Sequence, residues 1–217
     1  NDTNVLVLGA STVSGTLGVT TAGAITQSGA LNVTGTTSLA AGAANDVTLN
    51  NASNNFSTVG ITSGRNVTLV DSNALDLGTS TIAGTLNVTA GGPITDSGNV
   101  VVTGTTALAA GAGNDITLDS AGNNFSTASV ISGNNVTLRD TNALDLGAST
   151  ISGNLNVTTS GTITDSGNLV VAGPTTLAAG AGNDITLNSA GNNFSTLGVT
   201  SGRNVTLVDS NALDLGA

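Results

Sequence analysis

Asn54-Asn55-Phe56-Ser57-Thr58 returns without change at residues 123–127 and again at residues 192–196. Its phenylalanine and the two equivalents, Phe125 and Phe194, are the only aromatic residues in the 217-residue chain, and they recur with a 69-residue period. The sequence around them recurs with the same shift, without insertion or deletion. A long repeat in strict register is typical of an array, in which each unit buries its apolar face against its neighbours.

The 69-residue period indicates one continuous body, residues 1–217, rather than separate domains. It leaves a partial repeat at residues 1–9 and complete repeats at residues 10–78, 79–147 and 148–216. Because the sequence starts and stops inside a repeat, we expect it to be a segment of a longer array.

A shorter theme, an Ile or Val followed by Thr and, one to three residues later, usually by Asp-Ser, recurs inside each repeat at sequence steps of 22, 20 and 27. It starts at nine positions, which are Ile25, Val47, Val67, Ile94, Ile116, Val136, Ile163, Ile185 and Val205. Around these positions apolar residues alternate with polar ones, which is typical of a strand with one buried face. Clusters of Gly, Asn, Asp and Ser between them predict turns.

These patterns predict an all-β fold, a parallel β-helix or β-solenoid with about three coils in each 69-residue repeat. A β-sandwich is the alternative. The hairpins of a sandwich do not require coils of similar pattern or a repeat without insertions, so the sequence favours the solenoid.

Charge excludes several classes of partner. The thirteen acidic residues are all Asp, the only bases are Arg65, Arg139 and Arg203, and the net charge is −10. Nucleic acids and anionic membrane surfaces are bound through clustered cations, which this sequence lacks. It also has no apolar run that approaches the roughly 18 to 20 residues needed to span a bilayer. We expect no nucleic-acid binding and no membrane insertion.

An enzyme is not expected either. Lys, Glu, His, Cys and Tyr are absent, so Asp is the only ordinary general acid or base. Most Asp residues recur in every repeat, as Asp46, Asp115 and Asp184 do, whereas a catalytic site is usually built once. The sequence therefore predicts no catalytic residues and no cofactor.

The candidate for a metal site is Gly111-Ala112-Gly113-Asn114-Asp115-Ile116, which partly resembles the glycine-aspartate nonapeptide of calcium-loaded β-rolls. Those motifs follow one another in tandem, whereas this one occurs once in each 69-residue repeat, and Thr117 stands where a large apolar residue is needed. A glycine corner with an Asx turn is the favoured interpretation, and no metal ligands are predicted.

Two kinds of binding face remain weaker alternatives. Thr-rich stretches such as residues 103–106 could order water as an ice-binding face does, but coils of unequal length do not place Thr regularly on every coil. A glycan-binding face is also open, although the chain has no Trp or Tyr to stack on sugar rings.

Three stretches, residues 142–147, 152–158 and 182–187, resemble the repeat regions of filamentous-haemagglutinin-like proteins. These are large bacterial surface and secreted adhesins that are exported by two-partner secretion or as autotransporters. The resemblance implies a right-handed β-helical shaft, export across the bacterial outer membrane, and a role in adhesion or biofilm. It covers essentially the whole chain, but in repeat style rather than in any active-site motif.

The function that we expect is therefore structural and non-catalytic: the shaft of an extracellular bacterial adhesin, which projects a binding end from the cell surface. The main alternative is a segment or subunit of an extracellular filament or sheath, assembled by end-to-end stacking of solenoids. The expected partners are neighbouring repeats or further copies of the chain, and host or matrix glycans or proteins bound through other domains.

Overall fold

The structure is a computed structural model that describes residues 1–216. Every regular element in these residues is a β-strand. The strands are β1 (Leu6–Leu8), β2 (Ser11–Val13), β3 (Leu17–Thr20), β4 (Ile25–Gln27), β5 (Leu31–Ala40), β6 (Val47–Leu49), β7 (Asn55–Ser63), β8 (Val67–Asp71), β9 (Leu75–Leu77), β10 (Ser80–Ile82), β11 (Leu86–Ala90), β12 (Ile94–Asp96), β13 (Val100–Ala109), β14 (Ile116–Leu118), β15 (Asn124–Ser132), β16 (Val136–Asp140), β17 (Leu144–Leu146), β18 (Ser149–Ile151), β19 (Leu155–Thr159), β20 (Ile163–Asp165), β21 (Leu169–Ala178), β22 (Ile185–Leu187), β23 (Asn193–Ser201) and β24 (Val205–Leu207).

The strands form two parallel sheets that enclose one core. The first sheet has the order β1-β4-β6-β8-β11-β13-β15-β17-β20-β22-β24, with β10 also beside β13. The second has the order β18-β21-β19-β16-β14-β12-β9-β7-β5-β2, with β3 beside β5 and β23 beside β21. The chain returns to the same sheet once per coil, and eleven successive strands along the first sheet make ten steps of about 4.8 Å. The predicted parallel β-solenoid is confirmed.

Each 69-residue repeat makes three and a half coils, which refines the expected value of about three. Equivalent strands therefore alternate between the sheets: β6 and β22 lie in the first sheet, but β14 lies in the second. The 27-residue interval from Val67 to Ile94 contains the extra half coil, because β8 and β11 both lie in the first sheet and β12 lies in the second. One repeat is thus turned by about half a revolution relative to the next.

The core is built from the alternation inside each strand. In β11, Leu86, Val88 and Ala90 are buried, whereas Asn87 and Thr89 are exposed. Because successive coils stack in register, buried residues form columns along the axis, such as Val47, Val67 and Leu86. Burial of one such side chain contributes about 1.5–3 kcal/mol, and each repeat supplies a complete set of them.

Short strands form a second row of parallel pairing beside the main sheet, which we call the side rank. β13 pairs with β10 through Val100–Val102 and with β11 through Thr106–Ala109. The bend between these halves needs glycine, since a Cβ on Gly104 would lie 2.7 Å from the carbonyl oxygen of Gly84. β15 pairs with the first half of β13 through Asn124 and Phe125, and the rank β10-β13-β15 ends there. The next coil has no strand at this position, which leaves a step in the surface.

Candidate functional site: a groove repeated on alternate sides

The first Asn of the repeated motif joins neighbouring coils from inside the protein. Asn123 is fully buried. Its side-chain oxygen accepts a hydrogen bond from the backbone N–H of Val100 at 2.8 Å, and its amide nitrogen donates to Asp96 Oδ2 at 2.6 Å. Asp96 in turn accepts the backbone N–H of Asp119 at 2.9 Å. This Asn fixes the turn that leads into β15.

The phenylalanine that follows is held by a buried carboxylate. Phe125 packs in the core, and its N–H donates to Asp140 Oδ2 at 2.6 Å. Asp140 Oδ1 accepts the N–H of Asn142 at 2.8 Å, which closes the next turn. Burial raises the pKa of Asp140, and its hydrogen bonds to these two N–H groups oppose that shift in part. In this coil the backbone N–H of Phe125 therefore bonds to a carboxylate, where a further strand of the side rank would otherwise accept it.

The second Asn of the motif lies at the surface of the step. Asn142 Nδ2 donates to Asn124 Oδ1 at 3.1 Å. The equivalent bond from Asn73 to Asn55 is 3.1 Å, and the bond from Asn211 to Asn193 is 2.9 Å. Amides of adjacent coils thus form a short ladder in each repeat, with donors and acceptors left over for other groups.

A groove of about 600 Å³ opens at this step in the middle of the chain. Its floor and walls include Val102, Asn124, Phe125, Asn142, Asp145 and Thr164. A second groove, of about 440 Å³, is lined by Val171, Asn193, Phe194 and Asn211, which are the equivalent positions one repeat further along. Since β15 belongs to the first sheet and β23 to the second, the two grooves lie on opposite sides of the rod.

The chemistry of the groove is that of neutral hydrogen bonding. Asp145 is the one charged residue that lines it, and this carboxylate accepts the hydroxyl of Thr164 at 3.1 Å and that of Ser166. One carboxylate lines the groove in the middle of the chain, the other groove is lined by neutral residues, and no cation lines either groove to bind an anion. The arrangement is suited to holding a neutral polar ligand.

A family model described as repeats of unknown function (DUF5649) matches the chain at residues 1–63, 64–132 and 133–201. The chain belongs to this family. The matches cover the three motif copies and share the 69-residue period, although they begin at a different phase from the repeats 10–78, 79–147 and 148–216. No curated protein and no solved structure matches the chain.

The DUF5649 repeats place a carboxylate at another coil corner, where it is neutralised locally. Asp46 accepts two hydrogen bonds from Arg65, at 2.8 and 2.9 Å, and a third from the N–H of Asn66 at 3.1 Å. The hydrogen bond from Arg65 and the bonds from Asn66 lower the pKa of Asp46 to about 2. Asp184 and Arg203 repeat the arrangement at 2.8 Å. These pairs connect successive coils at the surface.

The middle DUF5649 repeat uses amides at that corner, which includes the sequence 111–116 that partly resembles a calcium-binding nonapeptide. Asp115 Oδ1 accepts bonds from the side chains of Asn134 and Asn135 and from the Asn135 N–H, each at 3.0 Å. Gly111 has a φ of +83°, and Asn114 Nδ2 donates to the carbonyl of Ala110 at 2.7 Å. The motif therefore forms a glycine corner. Residues 1–216 contain no group of three or more acidic side chains arranged to hold a metal ion.

Threonines form single columns on the two sheets of the DUF5649 repeats. Thr95, Thr117 and Thr137 stack on successive coils of the second sheet. The outward position two residues further along is not Thr on every coil, since it is occupied in turn by Arg139, Thr158 and Ala178. A flat array of two Thr columns is thus not formed there.

Among the described residues there is no helix long and apolar enough to cross a membrane.

No site residues were predicted from the sequence, so the groove is a finding of the structure. Its residues were visible only as repeated motifs: the Asn-Asn-Phe sequence at 123–125 and the Asn-Ala-Leu-Asp sequence at 142–145. The spacing between these motifs does not show that they meet, because contact depends on which coil lies beside which.

Proposed function

We propose that this chain is a segment of the shaft of an extracellular bacterial adhesin, with a mechanical rather than a catalytic role. The observation that carries the proposal is the unbroken parallel stacking of strands along the first sheet, over ten coil steps. An uninterrupted ladder of backbone hydrogen bonds makes a stiff rod, and each repeat of three and a half coils lengthens it by about 17 Å. The number of repeats therefore sets the length of the rod.

The surface of the rod is consistent with a spacer outside the cell. A net charge of −10 keeps parallel rods apart, and it discourages binding to nucleic acid. The charged groups that form ion pairs, such as Asp46 with Arg65, are neutralised within the rod. In this proposal the rod stands on a bacterial cell surface without inserting into the membrane, and domains outside this segment bind host or matrix glycans or proteins.

An extracellular filament or sheath is the second candidate, and one observation favours it. Successive coils stack in register, so that a buried residue of one coil lies on a buried residue of the next, as Val47, Val67 and Leu86 do. A further coil of the same pattern can continue this stack. If that coil comes from another copy of the chain, solenoids add end to end.

Electron microscopy of the native protein on cells and in the medium tests both candidates. An antibody against the repeats should label rods of one fixed length on the outer surface, and deletion of two repeats from the gene should shorten them by about 34 Å. Filaments of indefinite length, unchanged in length by the deletion, would support the filament instead. Label confined to the cell interior would contradict both.

A further inference from the structure

We propose that the grooves at the Asn ladders bind neutral glycan chains, and that the rod cross-links these chains because successive grooves face opposite sides. This inference goes beyond the shaft function and does not depend on it, since a shaft needs no ligand along its length. It rests on the grooves of about 600 and 440 Å³ that recur at equivalent positions.

The polar groups of the groove match the hydroxyl groups of a sugar. The amides of Asn124 and Asn142 present both donors and acceptors, and each bonds only once to the other, at 3.1 Å. Ser126 and Thr103 line the same groove with exposed hydroxyls. Asp145 adds a carboxylate, which accepts hydrogen bonds from hydroxyls. A surface that both donates and accepts at short intervals is what a polyhydroxylated chain requires.

The charge of the groove selects a neutral ligand. Asp145 repels sulfated, phosphorylated or uronic-acid chains, and no Arg lines the groove to compensate. Val101 lies partly exposed in the groove while Phe125 is buried beneath it, so the apolar face of a sugar ring contacts methyl groups without aromatic stacking. We expect weak binding at each groove, with a Kd on the order of 1 mM.

Because each repeat contains an extra half coil, the weak sites of successive repeats lie on different sides of the rod. The groove of the second repeat lies on the side of the first sheet, and that of the third lies on the side of the second. The Asn55–Asn73 ladder of the first repeat shares that second side, seven coils or about 34 Å from the third. One straight polymer chain cannot run over neighbouring grooves. Each rod therefore holds separate chains on its two sides, which links them instead of strengthening the binding of one.

The experiment uses the full chain with two neutral polysaccharides, dextran and galactomannan, and with heparin as the anionic control. We expect the protein to bind at least one neutral probe in affinity electrophoresis, to raise the turbidity of its solution, and to leave heparin unbound. Changing the Asn pair to Ala in all three repeats should abolish binding. The control N87A/N156A changes two exposed Asn residues outside the grooves and should bind as the unaltered chain does.

The variant N124A/N142A tests the geometry separately. It leaves ladders on one side only, so binding should persist with roughly a third of the capacity lost, while the turbidity falls well below that given by the unaltered chain. Circular dichroism confirms that each variant is folded. Failure of both neutral probes to bind would overturn the proposal, as would equal binding by the variant without any Asn pair. Full cross-linking by N124A/N142A would overturn the two-sided arrangement.

Discussion

Thr106 offers a direct test of how the core of this solenoid is packed. Its side chain is fully buried, yet the hydroxyl finds no hydrogen-bond partner among the described residues. It lies in an axial column between Leu86 and Ala128, where an apolar residue is expected. Thr37 and Thr175, the equivalents in the other two repeats, are buried in the same way and also lack a partner within residues 1–216.

Replacing Thr106 by Val removes the hydroxyl and keeps nearly the same shape. A buried hydroxyl without a partner costs about 1–3 kcal/mol, so T106V should raise the free energy of unfolding by about that amount. Thr105, one residue earlier on the same strand, is exposed. T105V makes the same chemical change in water and should alter stability by less than about 0.5 kcal/mol. The pair separates burial from any gain in strand propensity.

Guanidinium denaturation followed by far-ultraviolet circular dichroism measures the effect. The midpoint should rise in T106V while the slope m stays equal to that of the unaltered chain, because m reports the surface exposed on unfolding. The triple variant T37V/T106V/T175V should show nearly additive gains, since the sites lie about 17 Å apart along the axis. A midpoint that falls in T106V would refute the reasoning and show that the hydroxyl is bonded, and a midpoint that rises equally in T105V would assign the gain to strand propensity instead of burial.

Four further outcomes are expected from thermal unfolding. The pKa values of Asp46 and Asp184 are lowered from 3.8 to about 2, so their stabilising contribution is present above pH 3.8 and is lost as the pH falls towards 2. The variant D46N/D184N should flatten this loss of stability at low pH. An equally steep loss would contradict the pairing. Asp140, whose pKa is raised by burial, acts in the opposite direction, and its contribution is lost as the pH rises through the raised value. G111A should lower the free energy of unfolding by about 1–2 kcal/mol, because Gly111 has a φ of +83°. G113A, at a position where an added Cβ meets no other atom, should leave it unchanged. Equal effects of the two variants would count against the glycine corner. Addition of EDTA should leave the Tm unchanged, and a drop of several degrees would restore the calcium interpretation.

The fold could be predicted because its causes are local and repeated. Alternation such as Leu86, Val88 and Ala90 fixes a strand with one buried face, and the strict 69-residue register requires coils that stack. The half coil was missed because the recurring theme does not mark every strand. β11 crosses the first sheet inside the 27-residue interval, which therefore looked like one long coil instead of one and a half.

The groove could not be predicted for a different reason. Asn124 and Asn142 are separated by 18 positions, which is shorter than every step between the recurring Ile-Thr or Val-Thr themes. They meet because the coil between them is short, and within that coil the buried Asp140 accepts the N–H of Phe125. Which polar residue replaces a strand is decided by burial, and sequence periodicity carries no signal of it.

The three and a half coils in each repeat also affect how such an array can change length during evolution. Duplication of one 69-residue unit shifts everything downstream by half a revolution, so a domain joined beyond the array comes to point the opposite way. Duplication of two units restores its azimuth and only increases its distance. Whether the number of repeats is odd or even therefore sets the direction in which that domain points, and the number itself sets its distance. Where orientation at the tip matters, selection will favour gain or loss of units in pairs.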